Sequence, residues 1–327
     1  MKIIHCVMSK EFSGIERHVH ELALEQSKLH EVLILTNLKI SKYFINNKII
    51  KCKNLGRKNP FLIFFLIKTL KKEKPDIVHT HGNKTTNLIN AVKKFIKFKH
   101  VATLHSIKSK VDVFLKADLI IGVSNSIQEL FKTKIHIIEN WYNPIFINRY
   151  KGNNHKNYFL AVGRLEKVKN FSLLISCWKS QNKKLLIVGS GPEKTRLIRL
   201  IKKTKQENFI KIIDKVSLED LKEYYSNAKA ILIPSKKEGG PRVALEALAM
   251  GKPIFSMNVG DIKNIIPKEF ISNSCNEKSF KELIDNNMDI LDCYQFDRIQ
   301  DYIIKEYSLK RKCQETIQVY SSLVTDS

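Results

Sequence analysis

Short apolar runs rich in Ile and Val alternate with helical patterns along almost the whole chain, and that alternation admits few folds. Lys2 to Met8, Glu31 to Thr36, Lys48 to Cys52, Asp76 to Thr80, His100 to Leu104, Asp118 to Val123 and Ile135 to Glu139 read as buried strands. Between them, Ile15 to Leu29, Phe61 to Lys72, Thr86 to Phe98 and Ser126 to Lys132 carry the helical period. A helix between successive strands is a crossover connection, and crossovers build a parallel sheet covered on both faces. The polar stretch Lys151 to Asn157 interrupts the alternation and reads as a linker. A second series of strands follows: Tyr158 to Val162, Lys184 to Val188, Phe209 to Ile213, Ala230 to Ile233 and Pro253 to Ser256. Phe296 to Leu323 is helical by pattern. The expected architecture is α/β, with two doubly wound, Rossmann-like domains facing across a ligand cleft at the carboxyl ends of their strands. Residues 1–152 form the first domain, 153–300 the second, and 301–327 a helix that packs back onto the first.

A chain of 327 residues with 43 % hydrophobic content is long enough for two cores. Its longest apolar run, Phe61 to Ile67, falls far short of the roughly 20 residues that a membrane-spanning helix needs. Met1 to Met8 has the look of a short signal sequence, but the polar Ser9 to Glu16 follows it without a small-residue cleavage site, and it reads as a strand. Cys6, Cys52, Cys177, Cys275, Cys293 and Cys313 are scattered with no close pair, which argues against a disulfide framework or a zinc site and for the reducing cytosol.

The formal net charge of +25 calls either for an anionic partner or for a coding bias toward Lys, Asn and Ile. Residues 1–150 hold 26 Lys and Arg against 11 Asp and Glu, so the first half carries most of the excess. Lys68, Lys71, Lys72 and Lys74, then Lys93, Lys94, Lys97 and Lys99, flank Phe61, Phe64, Phe65, Phe95 and Phe98. Basic helices with aromatic faces suit an anionic bilayer surface; core packing of the same rings is the competing explanation.

Chemistry concentrates in the loops after the second series of strands. In Pro234 to Pro253, Gly239 and Gly240 let the backbone pass close to a ligand, and Pro241 suits the first helical position. Glu246 falls nearly two turns into that helix, while Glu238 stays in the loop. The helix start favours phosphate, and the two acceptor-only carboxylates favour hydroxyl groups such as those of a sugar. Gly163-Arg164-Leu165-Glu166-Lys167-Val168-Lys169-Asn170 offers a guanidinium fork and a point charge to a phosphate. Gly189-Ser190-Gly191-Pro192-Glu193 is a weaker signal, as consistent with strand-to-helix geometry as with a ligand. Ser13-Gly14-Ile15-Glu16 can present backbone amides, and His79, His81 and His105 fall at or just past strand ends. No Asp-x-Asp pair occurs that would clamp a metal-bound diphosphate.

With these residues together, the chain resembles the retaining group 1 glycosyltransferases of the GT-B fold. The resemblance rests on Glu238 and Glu246 with Ala247 to Pro253, on Gly163-Arg164-Leu165 with Lys169-Asn170, and on Gly189 to Glu193. Pro75 to His81, Ala117-Asp118 and Val123-Ser124 extend it into the first half. It implies a nucleotide-sugar-dependent enzyme, a hexosyltransferase without a metal or other cofactor. Arg164 and Lys169 would hold the donor diphosphate, Glu238 the donor sugar and Glu246 the ribose hydroxyls. His105 would sit beside the sugar and Gly14 under the phosphates, with the main chain at Val216 meeting the base. Gly163, Gly189, Gly191, Gly239 and Gly240 complete the donor-binding set.

Ser13 where the family often has glycine, Trp141 after Asn140 and Asn264 where a glutamate is frequent are departures from the pattern. The implied acceptor is a lipid-linked or polyanionic cell-surface glycan of lipopolysaccharide, O-antigen or capsule type. The implied location is cytoplasmic, peripheral at the inner face of the plasma membrane, with nucleic acid not expected as a partner. The competing functions are a non-catalytic binder of anionic polymers and a GT-B sugar-nucleotide epimerase.

Overall fold

The structure, a computed structural model, describes residues 1–107, 111–147, 158–178, 183–287, 291 and 296–325. The linker Lys151 to Asn157 and Cys293 lie outside the described residues. The chain divides into two compact units, one of Met1–Asn140 with Leu309–Ser327 and the other of Trp141–Ser308.

Unit 1 is built on β1 (Lys2–Val7), β2 (Glu31–Asn37), β3 (Lys48–Cys52), β4 (Ile77–His81), β5 (Lys99–Leu104), β6 (Leu119–Gly122) and β7 (His136–Ile137). These strands are all parallel, in the order β3-β2-β1-β4-β5-β6-β7. Helices α1 (Gly14–Gln26), α2 (Leu38–Ser41), α3 (Pro60–Glu73), α4 (Asn83–Val92) and α5 (Asn125–Gln128) connect them. Strand alternation sends Ile3 and Val7 to a core with Val19 and Ala23 of α1, and Ile4 and Cys6 to the opposite core with Leu62, Leu66 and Leu70 of α3. Burial of each such side chain contributes about 1.5–3 kcal/mol. Asn59 starts α3 by accepting the Leu62 N–H at 3.1 Å ahead of Pro60, and Lys74 ends it in the left-handed region at φ 46°.

On the α3 side of this sheet, Thr80 Oγ1 meets His100 Nε2 at 2.9 Å. Burial, with Lys93 nearby, pulls the His100 pKa down to about 3. The folded chain therefore leaves His100 neutral at pH values where the unfolded chain protonates it. Its stabilising contribution is complete above about pH 6.5 and is lost as pH falls toward 3, at a slope approaching 1.4 kcal/mol per pH unit. His100→Asn, which keeps a partner for Thr80, should flatten the pH dependence of urea unfolding between pH 6 and 4. An unchanged slope would remove His100 from the acid response.

Unit 2 repeats the plan with β8 (Tyr158–Val162), β9 (Lys184–Val188), β10 (Ile210–Ile213), β11 (Ala230–Ile233), β12 (Ile254–Met257) and β13 (Ile271–Ser272). Their order is β10-β9-β8-β11-β12-β13, again parallel throughout. Helices α6 (Phe171–Cys177), α7 (Lys194–Lys203), α8 (Leu218–Asn227), α9 (Arg242–Ala249), α10 (Glu277–Asn287) and α11 (Asp297–Glu306) belong to this unit. The final helix, α12 (Leu309–Thr325), belongs to unit 1, where Tyr320 is fully buried and Lys312 Nζ donates to Glu139 Oε2 at 2.9 Å.

Several local expectations shift. The chain enters unit 2 at Trp141, before residue 152, because Trp141, Tyr142 and Phe146 are buried there and Tyr142 Oη donates to the Ile304 carbonyl at 2.9 Å. The helical pattern Phe296 to Leu323 is two helices, since Tyr307 leaves helical geometry at φ −110° and ψ 26°. The unit boundary follows at Ser308, later than residue 301. β13 has two residues, too few to show a period. α4 and α5 stop at Val92 and Gln128, earlier than Phe98 and Lys132.

Candidate active site

In a doubly wound sheet the ligand crevice lies where strand order reverses, beyond the carboxyl ends of the two central strands. In unit 2 that point falls between β8 and β11, and the loops after these strands are Gly163 to Asn170 and Pro234 to Pro241. The Lys236 N–H donates to the Val168 carbonyl at 2.8 Å and ties the two loops together. Lys169 Nζ then donates to Glu238 Oε1 at 2.6 Å, and Ser235 Oγ donates to the same oxygen at 2.6 Å. Two groups 69 residues apart in sequence are thus one ion pair in a half-buried setting. Arg164, on the same loop, pairs with Glu166 at 3.2 Å and stays largely exposed.

Pro241 caps α9 and is not its first residue; Arg242 is. Glu246 therefore lies just over one turn into α9, closer to its start than the sequence suggests, and is 3 % exposed. Tyr225 Oη donates to Glu246 Oε2 at 3.2 Å. Gly239 is buried and Gly240 half-buried in the loop ahead of the helix. The Arg242 guanidinium lies 5.9 Å from the centre of the Trp141 ring, so this departure from the family pattern is packed inside unit 2. Asn264 is exposed and closes a short 3-10 turn after β12 whose first residue, Ile262, is buried.

Gly189 and Gly191 acquire a packing reason. A Cβ on Gly189 would stand 1.9 Å from the Gly163 carbonyl oxygen, and one on Gly191 would stand 2.5 Å from that of Leu165. The loops after β8 and β9 run in backbone contact, with Leu165 N–H donating to Ser190 O at 2.9 Å and Glu193 N–H to Leu165 O at 2.9 Å. Val216 is half-buried between β10 and α8.

In unit 1, Gly14 opens α1, and the Ser13 N–H and hydroxyl both donate to Glu16 Oε2, at 2.9 and 2.8 Å. A Cβ on Gly14 would meet nothing within 4 Å, so the protein's own packing does not require glycine there. Around this unit's own reversal point between β1 and β4, five histidines gather: His5 within β1, His79 and His81 within β4, His18 on α1 and His105 just past β5. His5 lies beside His79 in the β1–β4 register. Its Nδ1 is 3.0 Å from His81 Nε2, and His81 Nδ1 is 3.0 Å from His105 Nε2. His18 Nδ1 meets Asn140 Oδ1 at 3.1 Å. Burial lowers His5 to about 4 and holds His79 and His81 well below the usual histidine range, with neighbouring histidines adding to the effect. His5, His18 and the Tyr320 hydroxyl that meets His79 Nδ1 escaped the sequence reading. Strand alternation pairs His79 with His81 on one face of β4, and the β1–β4 register, which no local pattern encodes, brings His5 beside them.

The basic aromatic segment also resolves. Phe65 and Phe98 pack against the core, whereas Phe61 and Phe64 on α3 are 79 % and 69 % exposed and Phe95 is exposed as well. Among the described residues no helix is long and apolar enough to cross a membrane.

Two parallel doubly wound sheets, each with its candidate loops at its own reversal point, are the architecture of the GT-B fold. Residues 144–305 match the family described as Glycosyl transferases group 1, and residues 12–149 match Glycosyltransferase Family 4. The chain belongs to the group 1 glycosyltransferases. It is 39 % identical over 106 residues to the amylovoran biosynthesis glycosyltransferase AmsD of Erwinia amylovora, covering 32 % of this chain and 30 % of AmsD. The chain therefore spans less than a third of that relative's length. It is 25 % identical over 299 residues to the O-antigen biosynthesis glycosyltransferase WclY of Escherichia coli, covering 79 % and 80 % of the two chains. In structure it matches HepE of Anabaena, solved with UDP and glucose, at a TM-score of 0.85 and 16 % identity over 98 % of this chain and 100 % of that one.

Proposed function

We propose that this chain transfers a hexose from a nucleotide diphosphate donor to a lipid-linked or polyanionic cell-surface glycan, with retention of configuration and without a metal. The ion pair of Lys169 and Glu238 at the reversal point of unit 2 carries this reading. A fixed ammonium there can meet charge developing on the leaving diphosphate, and Arg164 on the same loop offers a planar fork to it. These cations supply the charge neutralisation that a divalent ion supplies in other transferases. Glu238 accepts from donor-sugar hydroxyls and Glu246 from the ribose. Gly239, Gly240, Gly163, Gly189, Gly191 and the main chain at Val216 complete the unit 2 contribution. For unit 1 the same reading assigns Gly14 to the donor phosphates and His105 to the donor sugar. The acceptor hydroxyl attacks on the face the nucleotide leaves, and the leaving phosphate takes its proton.

The names of AmsD and WclY favour a surface polysaccharide as the product, and the UDP and glucose held by HepE favour a nucleotide-sugar donor. Phe61, Phe64 and Lys68 lie along one side of α3 at helical spacing, which suits an anionic bilayer that holds a lipid-linked acceptor. The test is release of nucleoside diphosphate from a panel of sugar nucleotides by the purified chain, with lipid-linked acceptor and EDTA present. One donor should turn over with no loss to EDTA. Turnover that requires a divalent ion would overturn the metal-free reading. Failure of every donor, with tight salt-sensitive binding to polyanions, would favour the polymer binder instead.

A further inference from the structure

We infer that His18, His81 and His105 form a binding site for a borderline transition-metal ion of the Zn2+ type in unit 1. One ring nitrogen from each lies within 4.8 Å of those of the other two. The ring centres are 4.6 Å apart for His18 and His105, 5.3 Å for His81 and His105, and 5.8 Å for His18 and His81. An ion about 2.0–2.1 Å from each nitrogen fits among rings so spaced after small side-chain rotations. Three imidazoles and no carboxylate select Zn2+, Co2+, Ni2+ or Cu2+ over Mg2+ or Ca2+, which require oxygen.

The surrounding hydrogen bonds orient two of these rings as metal-bound imidazoles are oriented elsewhere. His18 Nδ1 donates to Asn140 Oδ1, so the lone pair of the neutral ring, the one a metal takes, is on Nε2. Gln26 presents its amide oxygen to His5 Nε2 at 2.7 Å, so the His5 proton resides there and His5 Nδ1 is an acceptor. His81 Nε2 must then carry its proton toward His5, and the lone pair of His81 Nδ1 points at His105. Without an ion, His105 Nε2–H donates to that lone pair. When an ion binds, the His105 proton moves through solvent from Nε2 to Nδ1, and three neutral nitrogens converge with no net proton released.

The neighbouring trio of His5, His79 and His81 is a poorer site. His79 already spends one ring nitrogen on the Tyr320 hydroxyl and the other on Thr103 Oγ1 at 2.6 Å. His105 is half-buried whereas His18 and His81 are buried, so the trio reaches the edge of the core. Where His105 serves the donor sugar, as proposed above, a bound ion competes for the same imidazole and inhibits transfer. That consequence rests on the proposed function, whereas the site itself does not.

The experiment is titration of the purified full chain with Co2+ alone, read by visible absorbance, followed by displacement with Zn2+ in calorimetry. One equivalent should give intense tetrahedral bands. His105→Ala should weaken binding by at least about 100-fold, His18→Ala likewise, and Asn140→Leu by about 10–100-fold through loss of the His18 orienting bond. Cys275→Ser, which removes the thiol that is exposed among the described residues, should change nothing. Thermal melts establish that each variant is folded; should His18→Ala not fold, the rim residue His105 decides. Absence of tetrahedral bands, or binding that survives His105→Ala unchanged, would overturn the site whatever the enzyme's donor proves to be.

Discussion

Lys169→Ala is expected to slow transfer by about 10²–10³-fold, the size of effect seen when one fixed group facing developing charge is removed. The loss should fall mainly on kcat, because the ammonium acts on charge that grows as the nucleotide leaves. Its 2.6 Å contact with Glu238 adds a second cost, since that carboxylate would lose its ammonium partner, keep the Ser235 hydroxyl, and be less firmly oriented. Arg164→Ala should weaken donor binding more than it slows turnover, and the double variant should be inactive at ordinary enzyme concentrations. Glu246→Ala should behave differently, with nucleotide affinity falling by about 10–100-fold for loss of one charge-assisted hydrogen bond or more. Steady-state kinetics with the preferred sugar nucleotide separates these cases. Wild-type turnover in the Arg164/Lys169 double variant would end the site assignment.

Gly189→Ala is expected to destabilise unit 2 by more than about 3 kcal/mol, or to prevent its folding. Flexible neighbours absorb small overpacking, but here the obstacle is the Gly163 carbonyl at 1.9 Å, held in the sheet by the Gly163 N–H bond to Val188 O at 3.0 Å. For a unit of this size the melting temperature should fall by roughly 10 °C. Gly14→Ala is the matched comparison, with nothing within 4 Å of the added methyl. It should melt with the wild type yet bind donor more weakly if the phosphates lie against that backbone. Calorimetric melts of the two variants distinguish a glycine required by the fold from one reserved for a ligand. Equal stability of Gly189→Ala and wild type would refute the close approach of the β8 and β9 loops.

Every strand but the two-residue β13 was legible because each is a local pattern. Lys48–Cys52, Tyr158–Val162, Lys184–Val188 and Ala230–Ile233 match their expected limits, since Ile and Val runs flanked by polar residues leave little freedom. The charged loops were legible for a similar reason, as each follows its strand directly. What joins them was not. The meeting of Lys169 with Glu238 depends on β8 and β11 being neighbours, and strand order is a property of the whole sheet. The C-terminal helix posed the same difficulty: Tyr320 reaches His79 across 241 positions, and no local period encodes that partner. The histidine cluster lay between these extremes. Its β4 pair could be seen as a period-two repeat, but adding His5 and His18 required the β1–β4 register and the packing of α1.

The central claim is that unit 2 holds a nucleoside diphosphate through Arg164, Lys169 and Glu246, and thermal stability against a panel of nucleoside diphosphates with EDTA present tests it most directly. A ligand at 100 times its Kd adds about 2.7 kcal/mol to the folded state, so the melting temperature should rise by roughly 5–10 °C. The account predicts that rise for one base, undiminished by EDTA, and its loss in the Arg164/Lys169 double variant. No rise with any nucleotide, or a rise that the double variant retains in full, would contradict it.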